Sequence, residues 1–284
     1  MPDLDPGHAS SKGHLSLWGR HVDNVRRLDA FFRGLARRVD ATEFEFSCLV
    51  PVAALSKADY FMSFPHLAAL VSNVHPERIE PLRQSAEIGP MEAIPADCLG
   101  SAEYVLAPAA CYSLYSHFES SRLTNAIYAT LRAPCCRSEE RYLPFQRQNV
   151  FNMREIVCLG GIEAVQEFID LFRGLIQQKL DEAALPISYV PATDPFYDRR
   201  DPRRLLQRID PVKHEFVYGG DCAIASINQH RNFFGEKFAI EDAVGQPIFS
   251  ACVAFGIERW YYACMSEFGD DWEQWPAALR AEGR

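Results

Sequence analysis

Residues 249–265 read FSACVAFGIERWYYACM, the pattern of a buried strand that runs through a glycine turn into an apolar helix. Val253, Phe255 and Ile257 carry strand character, Gly256 stands where the chain turns, and Trp260, Tyr261, Ala263 and Met265 suit a packed helix. At the turn stands the pair Glu258–Arg259. An arginine at a helix start in apolar surroundings calls for an anionic partner. Two partners fit: Glu258, in a salt-bridged helix start, or a phosphate gripped by both arms of the guanidinium near the helix N-terminus.

The chain of 284 residues is long enough to bury a large core as one domain, or as one domain with an insertion. Its formal net charge of -9 argues against a protein whose main task is gripping nucleic acid, although a local basic patch is compatible with it. No apolar run approaches membrane-spanning length, and residues 1–18 have no apolar signal core and are expected to be a loose tail. Nine cysteines with no Cys-x-x-Cys pair point to a reducing cytoplasm, with metal binding or plain burial favoured over disulfides.

Residues 22–39 form an amphipathic helix, with Val22, Val25, Leu28, Phe31, Phe32, Leu35 and Val39 on one face. A strand over 43–50 follows, ended by Pro51. Further strands are expected over 104–115 (interrupted by a small-residue bend), 127–137, 150–158, 216–218 and 222–227, and a long amphipathic helix over 162–184 follows Gly160–Gly161. Strands dominate the core, and their close strand–loop–strand spacing predicts an α+β fold on an antiparallel sheet.

The stretch 249–265 resembles motif 3 of the class II aminoacyl-tRNA synthetases, and two other segments resemble motifs 1 and 2. Helix, strand and Pro51 stand in the order of motif 1, which in that family builds a dimer interface. The segment CCRSEERYLPFQRQNVFNMREIV, from Cys135 onward, looks like motif 2. There an arginine ends one strand, an acid follows two positions later, a loop passes over ATP and a phenylalanine stacks on adenine. The matching residues are Arg137, Glu139 and Phe151, with Arg147 in the loop as a further ATP-binding residue. The resemblance implies that Arg137 neutralises the α-phosphate, that Arg259 holds the γ-phosphate and that magnesium accompanies ATP. The acid nearest to the family's magnesium position before Asn228 is Asp221, whose offset differs by one. By itself the motif 2 segment also reads as a hairpin with surface charges.

Cys111, Glu155 and Cys252 fall on three different expected core strands. Two thiolates and a carboxylate would leave tetrahedral zinc one open position, suited to an amino acid's α-amine. Read one at a time, each has another explanation: a buried cysteine is commonly a small core residue, and Glu155 could pair with Arg154 or Arg137. All three match the zinc ligands of the atypical seryl-tRNA synthetases of methanogenic archaea. They match equally those of a smaller family resembling that catalytic core, the bacterial amino acid:[carrier protein] ligases.

Other segments resemble the ligases more. CAIASINQHRNFFGEKF (222–238) carries Ser226, Asn228 and Phe233–Phe234–Gly235, and Asp194–Pro195–Phe196 resembles the family segment with an acid near the substrate amine. Lys213 and Glu215 also look like residues near the site, or else form a surface ion pair. The resemblance covers the chain from Val22 onward, so that residues 19–284 are expected to be a class II synthetase-like catalytic domain, with 194–215 as an insertion. That insertion concentrates Arg199, Arg200, Arg203, Arg204 and Arg208, with a short helix expected from Pro202. It is either an ordinary solvated arginine face or a dock for a small acidic carrier protein with a phosphopantetheine arm. The family implies ATP-dependent activation of a small amino acid, glycine or alanine, as its adenylate, transfer to the carrier thiol, and a homodimer. With motif 1 beginning almost at once and an acidic surface, tRNA charging is the less favoured alternative. A non-catalytic amino-acid sensor is another, against which the intact Arg137, Glu139 and Arg259 argue.

Overall fold

The computed structural model describes residues 9–10 and 13–280. Seven strands make the central sheet: Thr42–Phe44 (β1), Ile127–Cys136 (β2), Val150–Gly160 (β3), Ile187–Pro191 (β4), Lys213–Tyr218 (β5), Cys222–Arg231 (β6) and Phe249–Gly256 (β7). Their order across the sheet is β4-β5-β6-β7-β3-β2-β1. Every neighbouring pair is antiparallel except β1 with β2, which is parallel. The expected α+β architecture is therefore what forms.

Period-2 alternation decides which side of the sheet each strand residue faces. Along β7, Ala251, Val253 and Phe255 pack on one side, and Cys252 and Ala254 on the other. The first side is covered by helices Arg20–Ala36 (α1), Ile162–Glu182 (α3) and Ile257–Phe268 (α6). Each offers an apolar stripe at helical spacing, such as Val25, Leu28, Phe32 and Leu35 on α1 and Val165, Phe168, Phe172, Ile176 and Leu180 on α3. Phe32 stacks on Phe255 with ring centroids 4.3 Å apart and meets Trp260 edge-on, which locks α1 and α6 to β7. Beside this core, Arg154 of β3 is gripped at 2.8 and 2.9 Å by both oxygens of Asp29 on α1.

The second side carries helices Tyr112–His117 (α2) and Phe233–Phe238 (α5). Gly235 is required there, because a Cβ at this position would collide with the backbone of Ile248. Helix Pro202–Ile209 (α4) stands at the rim, capped by the Asp201 side chain, which accepts from the Arg203 N–H.

Two expected strands are shorter than their apolar runs. Residues 43–50 divide into β1 and a second strand, Leu49–Pro51, which pairs with Tyr104–Leu106 in a separate three-stranded sheet completed by Leu70–Val71. The run over 104–115 keeps strand geometry only through Leu106 and then enters α2. Pro108 cannot donate to a ladder, and a short apolar run does not distinguish strand from helix. Cys111 thus stands at the N-cap of α2 rather than on a strand. At the other end, β5 and β6 are longer than expected, beginning at Lys213 and ending at Arg231. Most of the expected tail over 1–18 lies outside the described residues; within it, Ala9–Ser10 pairs with His14–Leu15, and Leu15 and Leu17 pack against the core. Among the described residues no helix is long and apolar enough to cross a membrane.

Candidate active site

Strand register lays the site out in two rows on the side of the sheet away from α1 and α3. In one row Lys213 opposes Asn228, Asn228 opposes Cys252 and Cys252 opposes Val157. In the next, Glu215 opposes Ser226, Ser226 opposes Ala254 and Ala254 opposes Glu155. A register shift at Phe216/Val217 makes this possible. It leaves Ile224 and Ala225 both facing the helix-side core and so turns Ser226 and Asn228 to the face that carries Cys252; His230, at a second register shift between Gln229 and Arg231, also lines the cavity on that face. The small side chain of Ala254 leaves open space between Ser226 and Glu155. These rows floor a cavity of about 450 Å3, walled by Tyr60, Phe64, Tyr112, Phe233 and Phe234 and of a size that suits a small ligand.

At the inner end, the side-chain donors of Cys111, Glu155 and Cys252 lie within 4.8 Å of one another, all buried. α2 brings in Cys111 from above, and the Ala110 N–H just before it donates to Glu155 Oε1 at 2.9 Å. Glu155 Oε2 is buried and has no hydrogen-bond partner among the described residues. Burial pushes the Glu155 carboxyl up to about 8, and the Cys252 sulfur adds to the rise. The two thiols share a hydrogen bond that holds Cys252 well below the ordinary thiol value and Cys111 well above it. Asn228 Nδ2 approaches Cys252 Sγ at 3.3 Å, and His230 Nε2 approaches the same sulfur at 3.7 Å. A buried carboxylate oxygen without a hydrogen-bond partner, beside two buried thiols, is a donor set that fits a borderline-soft dication such as zinc. Glu155 pairs with neither Arg154, which binds Asp29 and Glu43, nor Arg137.

The other end is cationic. Arg137 lies just past β2, where its Nε donates to Pro108 O at 2.9 Å, and its guanidinium stands 5.2 Å from the Phe151 ring centroid. Arg259, at the start of α6, donates to Gln146 O at 2.6 Å and to Ala223 O at 3.0 Å. Burial lowers its ordinarily very high pKa, and the positive charges of Arg137 and Arg147 add to this against the opposite pull of Cys222. Glu258 points elsewhere, accepting from the backbone and side chain of Asn152, so the helix start is not an internal salt bridge. Arg137, Phe151, Gly256 and Arg259 line the cavity. The φ of -80° at Gly256 is one that any residue adopts, so the turn itself does not demand glycine. Glu139 and Arg147 pair with each other at 2.7 Å outside the cavity lining. Asp221 is exposed and also outside it.

Along one wall, Lys213 Nζ bridges Asp194 Oδ1 at 3.2 Å and Glu215 Oε1 at 3.3 Å. Burial would raise the Asp194 carboxyl, but Lys213 and the Gln207 amide more than offset it and hold the group below the ordinary carboxylate range.

The sequence matches no protein-family model. The amino acid–[acyl-carrier-protein] ligase 2 of Bradyrhizobium diazoefficiens is 31% identical over 282 residues, which span 94% of this chain and 83% of that protein. The chain belongs to the amino acid–[acyl-carrier-protein] ligase family. Ligase 1 of the same organism is 29% identical over 304 residues, 98% of this chain and 91% of that one. Among solved structures, M. kandleri SerRS in its complex with A. aeolicus tRNASec superposes with a TM-score of 0.81 at 19% identity. That match covers 97% of this ligase but 57% of the synthetase chain, and it is a likeness of fold.

Two site residues of the ligase stand outside the sequence reading. His230 lines the cavity beside Cys252, its Nδ1 between Tyr115 Oη at 3.0 Å and Ser250 Oγ at 3.2 Å. The alternation Ser226-x-Asn228-x-His230 was a signal for it, had the strand been extended past Ile227. Gln207 of α4 binds Asp194 and carried no comparable signal.

Proposed function

We propose that this ligase activates a small amino acid, glycine or alanine, with ATP, and transfers it to the phosphopantetheine thiol of a carrier protein. In the first half, the amino acid carboxylate attacks the α-phosphate of ATP; aminoacyl-adenylate forms and pyrophosphate leaves, and magnesium accompanying ATP would offset the phosphate charge. In the second, the carrier thiol attacks the activated carbonyl, giving the thioester and AMP.

The observation that carries this reading is that one cavity of about 450 Å3 opens on both Arg137 with Arg259 and the buried set Cys111, Glu155 and Cys252. The arginines suit a polyphosphate, with Arg137 at the α-phosphate where charge builds up and Arg259 at the γ-phosphate. Phe151 offers its ring to adenine, and Glu139, tied to Arg147, would close over the nucleotide from the loop between β2 and β3. A zinc ion held by Cys111, Glu155 and Cys252 would supply an open position for the α-amine. Asp194 receives the ammonium on its way in, and Ser226 and Asn228 line the floor between amine and carboxylate.

The carrier docks on α4 in this reading. Arg199, Arg200, Arg203, Arg204 and Arg208 surround a helix on which Leu205, Leu206 and Ile209 are 59%, 60% and 73% exposed. A basic collar around apolar side chains is complementary to an acidic helical partner. The three-stranded sheet around Leu49–Pro51, with the motif 1 order, is the proposed dimer contact, and nine free cysteines suit a reducing compartment.

The test is amino-acid-dependent exchange of pyrophosphate into ATP over an amino acid panel, with zinc-loaded and metal-stripped protein. Zinc-dependent exchange with glycine or alanine is expected, followed by transfer to holo carrier protein and not to tRNA. Absence of exchange with every amino acid, from folded zinc-loaded protein, would overturn the reading.

A further inference from the structure

Helix α4 presents its faces the wrong way round for an ordinary surface helix. None of its residues is buried, Leu205 and Ile209 are exposed, Leu206 is largely exposed at the edge of the cavity, and Arg203 and Gln207 make the side-chain contacts that hold it. Arg203 stands 5.1 Å from the Phe196 ring centroid and is bound to Asp201 at its own N-cap. One turn on, Gln207 makes a two-point contact with Asp194. Its Oε1 accepts from the Asp194 N–H at 2.9 Å, and its Nε2 donates to Asp194 Oδ2, also at 2.9 Å. The other carboxylate oxygen, Oδ1, takes Lys213 at 3.2 Å, and Lys213 opposes Asn228 in the row that holds Cys252.

A glutamine amide is a donor and an acceptor at once, and here it uses both on one residue. The Asp194 carboxylate is fixed on both oxygens, by Gln207 from the helix and by Lys213 from the sheet. With the Gln207 bonds removed, it would rotate about its terminal torsion, which is broad and soft. We propose that Gln207 is a positioning residue for the amino acid substrate: it holds Asp194 in one orientation and so makes α4 a wall of the amine subsite as well as a docking surface. This inference rests on the functional reading above, in which Asp194 faces the substrate ammonium.

The experiment compares native protein, Gln207→Met and Gln207→Glu in pyrophosphate exchange without carrier protein. Methionine keeps the length of the side chain and removes both hydrogen bonds. Glutamate keeps the acceptor for the Asp194 N–H but sets a second carboxylate against Oδ2. The KM for the amino acid should rise about tenfold in Gln207→Met, the scale of one hydrogen bond to a charged group. It should rise further in Gln207→Glu, while kcat and the KM for ATP stay within about twofold of native. Hydrogen exchange at the Asp194 amide should quicken in Gln207→Met and stay near native in Gln207→Glu. An unchanged amino acid KM in Gln207→Met overturns the inference, as does a loss in which kcat and both KM values move together. Native protein that gives no exchange with any amino acid would show that the functional reading itself had failed, and this inference with it.

Discussion

Asn228 and Cys252 face each other across β6 and β7, with the Asn228 amide nitrogen 3.3 Å from the Cys252 sulfur. An N–H aimed at sulfur stabilises the thiolate, the form that binds metal. Cys252→Ala is expected to abolish zinc binding and pyrophosphate exchange together, read by metal analysis on the same samples used for exchange. Asn228→Ala should keep the three donors and weaken zinc by about 10–100-fold, the scale for removing a partner that orients a ligand. Competition with a chromophoric chelator measures it. Full exchange from metal-free protein would remove the zinc assignment.

Arg259 gives two of its N–H groups to the carbonyls of Gln146 and Ala223, contacts that fix the guanidinium where it lines the cavity. A guanidinium has five such donors, so others remain for a phosphate. Arg259→Ala is expected to lower kcat/KM for ATP by about 10²–10³-fold, as for loss of one oriented donor group at a developing charge. Arg259→Lys should recover little, because an ammonium cannot reproduce the fork. Steady-state exchange kinetics with varied ATP would show it, and a near-native Lys variant would reduce Arg259 to a simple point charge.

Most of this architecture follows from local pattern. The run over 249–265 is an almost continuous apolar stretch up to Gly256, as for a strand buried on both faces, and then takes helical spacing, so β7 and α6 follow from it, along with the positions of Cys252 and Arg259. Cys111 was assigned to a strand because an apolar run with small residues satisfies strand and helix equally, and only the pairing of Tyr104–Leu106 with Leu49–Pro51 decides where the strand stops. His230 lies outside the expected strand over 222–227 for a related reason: the polar residues past Ile227 resemble a loop, while β6 continues to Arg231 through a register shift between Gln229 and Arg231. Gln207 depends on a contact between residues 13 positions apart, which the charge pattern of α4 conceals.

Arg154 is 3% exposed and is held by Asp29 and Glu43. Removing one partner of a buried pair leaves charge without compensation, at a cost of about 3–5 kcal/mol. Because Glu43 stays, Asp29→Ala should fall at the lower end, about 3 kcal/mol, and lower the Tm by roughly 5–10 °C. Thermal unfolding at neutral pH measures this. Zinc content per folded molecule should not change, since Arg154 and Glu155 face opposite sides of β3.

His21 is buried on α1 with its Nδ1 against the Tyr261 hydroxyl, and burial lowers its pKa below the ordinary 6.5, with Asp270 partly opposing. The folded state therefore favours the neutral ring. Between its folded pKa and 6.5 the unfolded chain holds a proton that the folded chain does not, so this residue's contribution to stability falls as the pH drops from above 6.5 through the folded value. His21→Gln removes the titration. Its stability deficit relative to native protein should shrink between pH 7.5 and pH 5.5, in paired denaturant titrations. A deficit that grows on acidification would mean that the ring is protonated in the fold.

Arg200 is 95% exposed at its side chain, and Arg208 stands on the outer part of α4, beside Leu205 and Ile209. Neither lines the cavity, so their effect on a carrier protein can be separated from the adenylation chemistry. Charge at an interface rim acts mainly on the association rate and is screened by salt. The double reversal Arg200→Glu with Arg208→Glu is expected to raise the KM for holo carrier protein about tenfold at low salt and by much less at 0.5 M salt. Carrier-free pyrophosphate exchange should stay at the native rate. Leu205→Ser should instead weaken transfer by a factor that salt does not change, because apolar burial is not screened. Equal losses in exchange and transfer, or transfer untouched by either change, would place the carrier on another face of the ligase.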